Sequence, residues 1–166
     1  MTAPTAAVKG RVMREVLTLR AMRPDEIDAV AQLWWRSSVS AAPAGSDHPS
    51  WLEMAERLRH ERWSVTVGMR GRELAGMLAI EAESRWLRQL FVDPAAQSEG
   101  VGTALLEEAR RLLPTGFHLH TNADNRLARA FYEARGLRPA GERRHRLGGL
   151  QVRYEWAPTS QAVQES

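Results

Sequence analysis

Leu90-Phe-Val-Asp-Pro-Ala-Ala-Gln-Ser-Glu-Gly-Val-Gly-Thr103 is the stretch that decides the fold. An apolar run ends at Asp93-Pro94, small residues fill a loop, and glycines stand at 100 and 102 before a helical pattern begins. Leu105, Leu106, Ala109, Leu112 and Leu113 recur at helical spacing, which predicts a helix over Thr103–Leu113 stopped by Pro114. Glycines between a strand and a helix let successive backbone N–H groups converge on one anion, helped by the helix dipole. The spacing is neither that of a P-loop nor that of a dinucleotide fingerprint, so nucleoside-triphosphate and NAD readings are not supported. A plain tight turn between strand and helix fits these residues equally well.

Upstream, Trp86–Val92 reads as the strand feeding this loop, and Leu74–Ala82 and Trp63–Val67 as two more, joined in a hairpin at Arg70-Gly71. Glu15–Arg20 is a short first strand. Pro24-Asp-Glu starts a helix expected to reach Ser38, with Ile27, Val30, Ala31 and Trp34 as its apolar stripe. Ser50 and Glu53 have capping-box spacing ahead of a second stripe, Trp51, Met54, Ala55 and Leu58. Downstream, Phe117–Asn122 is a strand and Asn125–Arg135 a helix closed by Gly136. A final hairpin turns at Gly148-Gly149, with Leu150, Val152, Tyr154 and Trp156 alternating along its second arm. The order β-α-α-β-β-β-α-β-α-β-β predicts a mixed α/β fold with helices on both faces of a mostly antiparallel sheet.

The chain of 166 residues is one domain's worth, expected over 13–157, with loose tails at 1–12 and 158–166. It has no cysteine, which removes disulfides, thiolate metal sites and a Cys acyl-enzyme, and fits a cytoplasmic protein. No run has the length of a membrane span or the pattern of a signal peptide, so no membrane partner is expected. The net charge of +3 is modest. Its one dense basic run, Arg143-Arg-His-Arg146, reads as a solvated hairpin edge, and no nucleic-acid partner is expected without a recognition motif. No metal site is expected.

Gln97-x-x-Gly100-x-Gly102, preceded by Leu90-x-Val92-x-Pro94, resembles motif A of the GNAT N-acetyltransferase superfamily. Asn125-x-x-Ala128-x-x-Phe131-Tyr132-x-x-x-Gly136-Leu137 looks like that family's motif B, with leucine where phenylalanine is commoner. The clear resemblance covers Trp86–Leu137, and Leu33-Trp-Trp-Arg-Ser-Ser38 is similar to the first-helix ending of small bacterial members. It implies the GNAT acyl-CoA N-acyltransferase fold, a seven-stranded sheet whose fourth and fifth strands splay, and acetyl-CoA (coenzyme A) as co-substrate.

The resemblance further implies that Leu90, Phe91 and Val92 pair with the pantetheine arm. It assigns the pyrophosphate to Gln97, Ser98, Glu99, Gly100, Val101, Gly102 and Thr103, with Asn125, Ala128 and Tyr132 on the other side. Glu99 departs from the usual basic or neutral residue there; its side chain is expected to face solvent, with Arg126 or Arg129 supplying positive charge.

Two residues are assigned to proton transfer. Tyr132 is the expected general acid for the departing thiolate. The family often places a glutamate on the fourth strand, and Trp86–Val92 contains no carboxylate. Alternation on Phe117–Asn122 puts His118 and His120 opposite the core face, which makes His120 the candidate base, with Glu81 and Glu83 weaker ones. A hydrogen-bonded structural histidine is the competing reading.

The acceptor, a small-molecule or peptide amine, is expected to meet Trp35, Arg36, His48 and Gln89, with Trp34 committed to the core. The oligomeric state, monomer or homodimer, is open. A non-catalytic acyl-CoA-binding regulatory module on the same fold, or an unrelated phosphate-binding domain, are the alternatives.

Overall fold

The computed structural model describes residues 15–146 and 148–159. The predicted tails at 1–12 and from 160 onward lie outside the described residues, as does Leu147.

The strands are β1 (Leu17–Ala21), β2 (Ser64–Arg70), β3 (Glu73–Glu81), β4 (Trp86–Val92), β5 (Phe117–Asn122), β6 (Arg138–Arg144) and β7 (Leu150–Trp156). The helices are α1 (Ile27–Ala41), α2 (Trp51–His60), α3 (Val101–Leu112) and α4 (Arg126–Ala134). The strands form one seven-stranded sheet in the order β1-β2-β3-β4-β5-β7-β6, antiparallel except between β4 and β5. The predicted fold and element order hold.

Boundaries moved where local chemistry outweighed pattern. Pro24–Glu26 forms a 3₁₀ turn rather than α-helix, pinned by Glu26, whose carboxylate accepts from Arg23 N at 2.8 Å and from Arg20 at 2.9 Å. α1 then runs past Ser38 to Ala41, ending two residues before Pro43. Asn125 stands outside α4 as its cap, its Oδ1 accepting from Ala128 N at 3.1 Å. Ser50 and Glu53 form the expected capping box at the head of α2.

Side-chain alternation on the strands feeds two cores, one on each face. α1 and α2 cover Val67, Met77 and Ala79 with Val30, Leu33, Trp34 and Leu58. On the other face, α3 packs Val101, Leu105, Leu106 and Ala109 against Leu78, Ile80, Leu119 and Tyr154. Gly76 on β3 permits that approach, since a Cβ there would lie 2.9 Å from both Leu105 and Val101. Among the described residues no helix is long and apolar enough to cross a membrane.

The break in the sheet positions the site. β4 and β5 share the single register pair Trp86↔His118, beside one hydrogen bond from His118 N to Arg85 O at 3.0 Å. Beyond it the strands part toward Val92 and Asn122. Strand β4 is also bulged: Ala79 pairs with Gln89 and Ile80 with Leu87, so Arg88 is the residue passed over.

Candidate active site

At the open end of this break the chain turns sharply. Ser98 takes φ 64° and Gly100 φ 84° before α3 begins at Val101. The left-handed conformation at 100 requires glycine to be free of strain. A Cβ at Gly100 would meet nothing within 4 Å, so the space before the α3 N-terminus is open. First-turn amides without intrahelical partners border that space, at the positive end of the dipole. Such an arrangement can hold an anion.

Gly102 lines the cavity and also has a packing task. A Cβ there would lie 3.2 Å and 3.3 Å from the Phe131 ring and 3.5 Å from Val92. It brings α3 close to α4 and β4, so a side chain at 102 would disturb packing as well as any bound anion.

A cavity of about 470 Å³ leads from the cradle into the break. Leu90, Phe91 and Val92 form one wall, and Asn125, Ala128, Phe131 and Tyr132 another. Gln97, Ser98, Gly100, Val101, Gly102 and Thr103 close its end, and Ser37, Ser40 and Ala41 of α1 border it too. Among the motif-A residues expected here, Glu99 alone is not part of the lining.

The expected charge balance around Glu99 needs correction. Its carboxylate does not simply face solvent: it sits 3.3 Å from Arg70 Nε, while Arg70 also donates to the Glu99 backbone carbonyl at 3.2 Å. Arg129 is committed elsewhere, donating to Tyr154 Oη at 3.1 Å and Ala123 O at 3.0 Å, and Arg126 is exposed outside the cavity lining. The cation that does line the cavity is Arg135. It donates to Thr103 Oγ1 at 2.9 Å and to Phe131 O at 3.0 Å, with its guanidinium 3.8 Å from the Phe131 ring centroid. Its i+4 spacing from Phe131 was the available signal. Ser37 was also missed; it is buried and donates to Val92 O at 2.9 Å.

Tyr132 is 8 % exposed and one turn beyond Ala128, as expected. Burial pushes its phenol up to about 12, so it stays protonated at neutral pH. His120 is not in the same cavity. Phe117 and Leu119 join the α3-side core, which leaves His118 and His120 on the α1–α2 face against Trp86, with centroids 5.0 Å and 5.1 Å from its ring. Burial, then the positive charge of Arg143, the neighbouring His118, Arg153 and Arg88, lowers His120 from 6.5 to about 4. It is a neutral, weak base, unlike the unperturbed histidine expected.

The expected acceptor residues are spread over that face. Trp34 is buried in the core while Trp35 is 38 % exposed, as their places on the helical stripe required. Arg36 is bound to Asp93 at 2.8 Å at the root of the loop. Gln89 on β4 pairs with Ala79 of β3, and His48 is half-buried in the connection between α1 and α2. None of Trp35, Arg36, His48 and Gln89 lines the cavity. Among the described residues no three His, Asp or Glu side chains converge to hold a metal ion.

A mixed sheet parted between β4 and β5, entered from an anion cradle at the head of α3, defines the acyl-CoA N-acyltransferase class of fold. The profile of the acetyltransferase (GNAT) domain matches residues 45–158, and the chain belongs to that family. Among solved structures it is similar to ribosomal-protein-S18-alanine N-acetyltransferase from Escherichia coli, at 20% identity and TM-score 0.67 over 91% of this chain and 99% of that one. A GCN5-related N-acetyltransferase from Rhodopseudomonas palustris gives 15% identity and TM-score 0.74 over 90% and 100%. Spermidine/spermine N-acetyltransferase SpeG from Vibrio cholerae gives 19% and 0.62 over 85% and 92%. These likenesses carry the fold. No curated protein matches the sequence significantly.

Proposed function

We propose that this protein moves an acetyl group from acetyl-CoA to a primary amine by direct attack on the thioester, without a covalent enzyme intermediate. The observation that carries this reading is the cradle at Gly100, open in front and continuous with the parted strands. A pyrophosphate suits the α3 N-terminus, and an extended pantetheine suits the unpaired edges of β4 and β5. Arg135 adds a fixed positive charge at the phosphate end.

Tyr132 serves as hydrogen-bond donor to the sulfur as it departs. A phenol near 12 does not hand its proton outright to a thiolate of ordinary pKa about 8.5. It stabilises the charge that develops there, where burial strengthens the bond. His120 accepts the amine's proton after the C–N bond has formed, when the nitrogen has become acidic enough for a weak base.

The test is thiol release from acetyl-CoA with a panel of amines, alongside calorimetric titration of CoA. Binding with acceptor-dependent thiol release is expected. Binding without release for any amine would favour an acyl-CoA-binding regulatory module, and no CoA binding would remove the reading.

A further inference from the structure

At the closed end of the parted strands, on the α1–α2 face, lies a cluster that the chemistry above leaves mostly unused. Trp86 is its centre. The Arg88 guanidinium stands 3.5 Å from the Trp86 ring centroid and that of Arg143 5.5 Å, so strands β4 and β6 each contribute a cation to one indole. His118 and His120 border the same ring. Arg153 stands opposite His120 in the register of β5 with β7.

The carboxylates of this face do not balance it. Glu81 is held by Arg88 at 3.2 Å and by Ser84, and Glu155 is bound to Arg153 at 2.8 Å. Arg143 donates to Gln151 Oε1 at 3.0 Å, a neutral partner, and no carboxylate among the described residues lies within ion-pair reach of it. Two polar atoms here are closed off from solvent without a hydrogen-bond partner among the described residues: Arg88 Nε and His120 Nδ1. Buried polar atoms without partners are costly, and water, an ion or a ligand can supply the missing bond.

The cluster adjoins the cavity by chain continuity. Leu90 lines the cavity two residues beyond Arg88, the bulged residue of the same strand. It therefore stands where the acceptor, rather than the cofactor, would approach the thioester, and this step rests on the acetyl-transfer reading. An all-cationic acceptor such as a polyamine would meet like charge here. We propose that the acceptor amine carries a carboxylate, held by Arg143 over Trp86, beside Arg88 and the two histidines. A planar guanidinium binds a carboxylate through two parallel hydrogen bonds, which fixes orientation as well as charge.

Two sources offer this chemistry: a free acidic amino acid, and a peptide whose N-terminal residue is acidic. The panel is therefore L-glutamate, L-aspartate, a short peptide beginning with Asp or Glu, benzylamine and spermidine, each assayed for thiol release with acetyl-CoA. Preference for one or more of the first three by kcat/KM is expected, and which of them leads separates amino acid from peptide. Arg143→Gln should raise KM for the preferred acid by about tenfold or more, the ordinary cost of losing a charged hydrogen bond, with the loss falling on KM rather than kcat. Arg143→Lys should recover part of it, and Arg143→Glu should shift preference toward spermidine. Preference of the wild type for spermidine or benzylamine overturns the inference and leaves acetyl transfer standing, as does an unmoved KM in Arg143→Gln. Thiol release with no amine in the panel, while CoA binds, also overturns it. Failure of CoA itself to bind removes the acetyl-transfer reading instead.

Discussion

Arg70 Nε lies 3.3 Å from the carboxylate of Glu99, and another nitrogen of the same guanidinium donates to the Glu99 carbonyl at 3.2 Å. The cation comes from the end of β2, far along the chain from the loop it steadies. It holds a negative charge aside from the cradle that Gly100 opens, and fixes the backbone one residue before the left-handed turn. Replacing Arg70 by Gln should weaken CoA binding several-fold. Adding Glu99→Gln to that variant should restore most of the affinity, because the repelling charge is then gone. Calorimetric titration at two salt concentrations checks this, with the single variant gaining from added salt relative to the double.

The two glycines of the loop should separate under substitution. Gly100→Ala forces a Cβ into the left-handed region at a cost of about 1–2 kcal/mol, and meets no neighbour within 4 Å. A folded protein with weakened CoA binding is the expected result. Gly102→Val instead presses on Phe131, 3.2 Å from where its Cβ would stand. Thermal melting should show the larger loss of stability for Gly102→Val, and titration with CoA should show loss in both. Equal CoA affinity in Gly100→Ala and wild type would end the cradle reading.

Tyr132→Phe retains the ring contact with Phe131 and removes only the hydroxyl. Turnover should fall by about 10²-fold, the lower end for a lost hydrogen-bond donor to developing charge, with CoA affinity within about twofold. Single-turnover kinetics with an identified acceptor make the measurement. A change confined to CoA affinity would make the phenol a binding group.

Histidine burial has a consequence for stability. The folded pKa of His120 is about 4 against an ordinary 6.5, and burial also lowers His118. Between those values the unfolded chain binds more protons than the folded one, so stability falls as pH drops from about 6.5 toward 4. His120→Asn should flatten that fall in a series of thermal melts. In kcat/KM profiles the enzyme's limb should lie near pH 4, and a limb nearer neutrality or above should follow the pKa of the acceptor amine.

Much of this architecture is legible in the sequence because it is local. Trp86–Val92 and Phe117–Asn122 coincide with β4 and β5, since Asp93-Pro94 closes the first and Pro114 and Gly116 precede the second. The capping box at Ser50 and Glu53 needs only a three-residue pattern. What escaped depends on distant partners. Glu99 looked unfavourable beside a phosphate because Arg70 is a neighbour only after β2 and β3 have paired. Arg143 read as a solvated edge because its position above Trp86 requires β6 to return beside β7. His120 lies opposite the core residues Phe117 and Leu119, as alternation requires, but outside the cavity, and its weakened basicity comes from burial and from arginines on three other strands.

The lone rung Trp86↔His118 also bears on mechanics. In backbone pairing the seven strands amount to two plates, β1 to β4 and β5 with β7 and β6, joined at one corner, while the core under α3 spans both. Any change in the angle between the plates has that corner as its fulcrum, and the cradle, at the far end of the slot, moves through the longest arc. The same corner carries the indole on which Arg88 and Arg143 rest. A ligand seated there and one seated in the slot would therefore flank the same rung from its two sides.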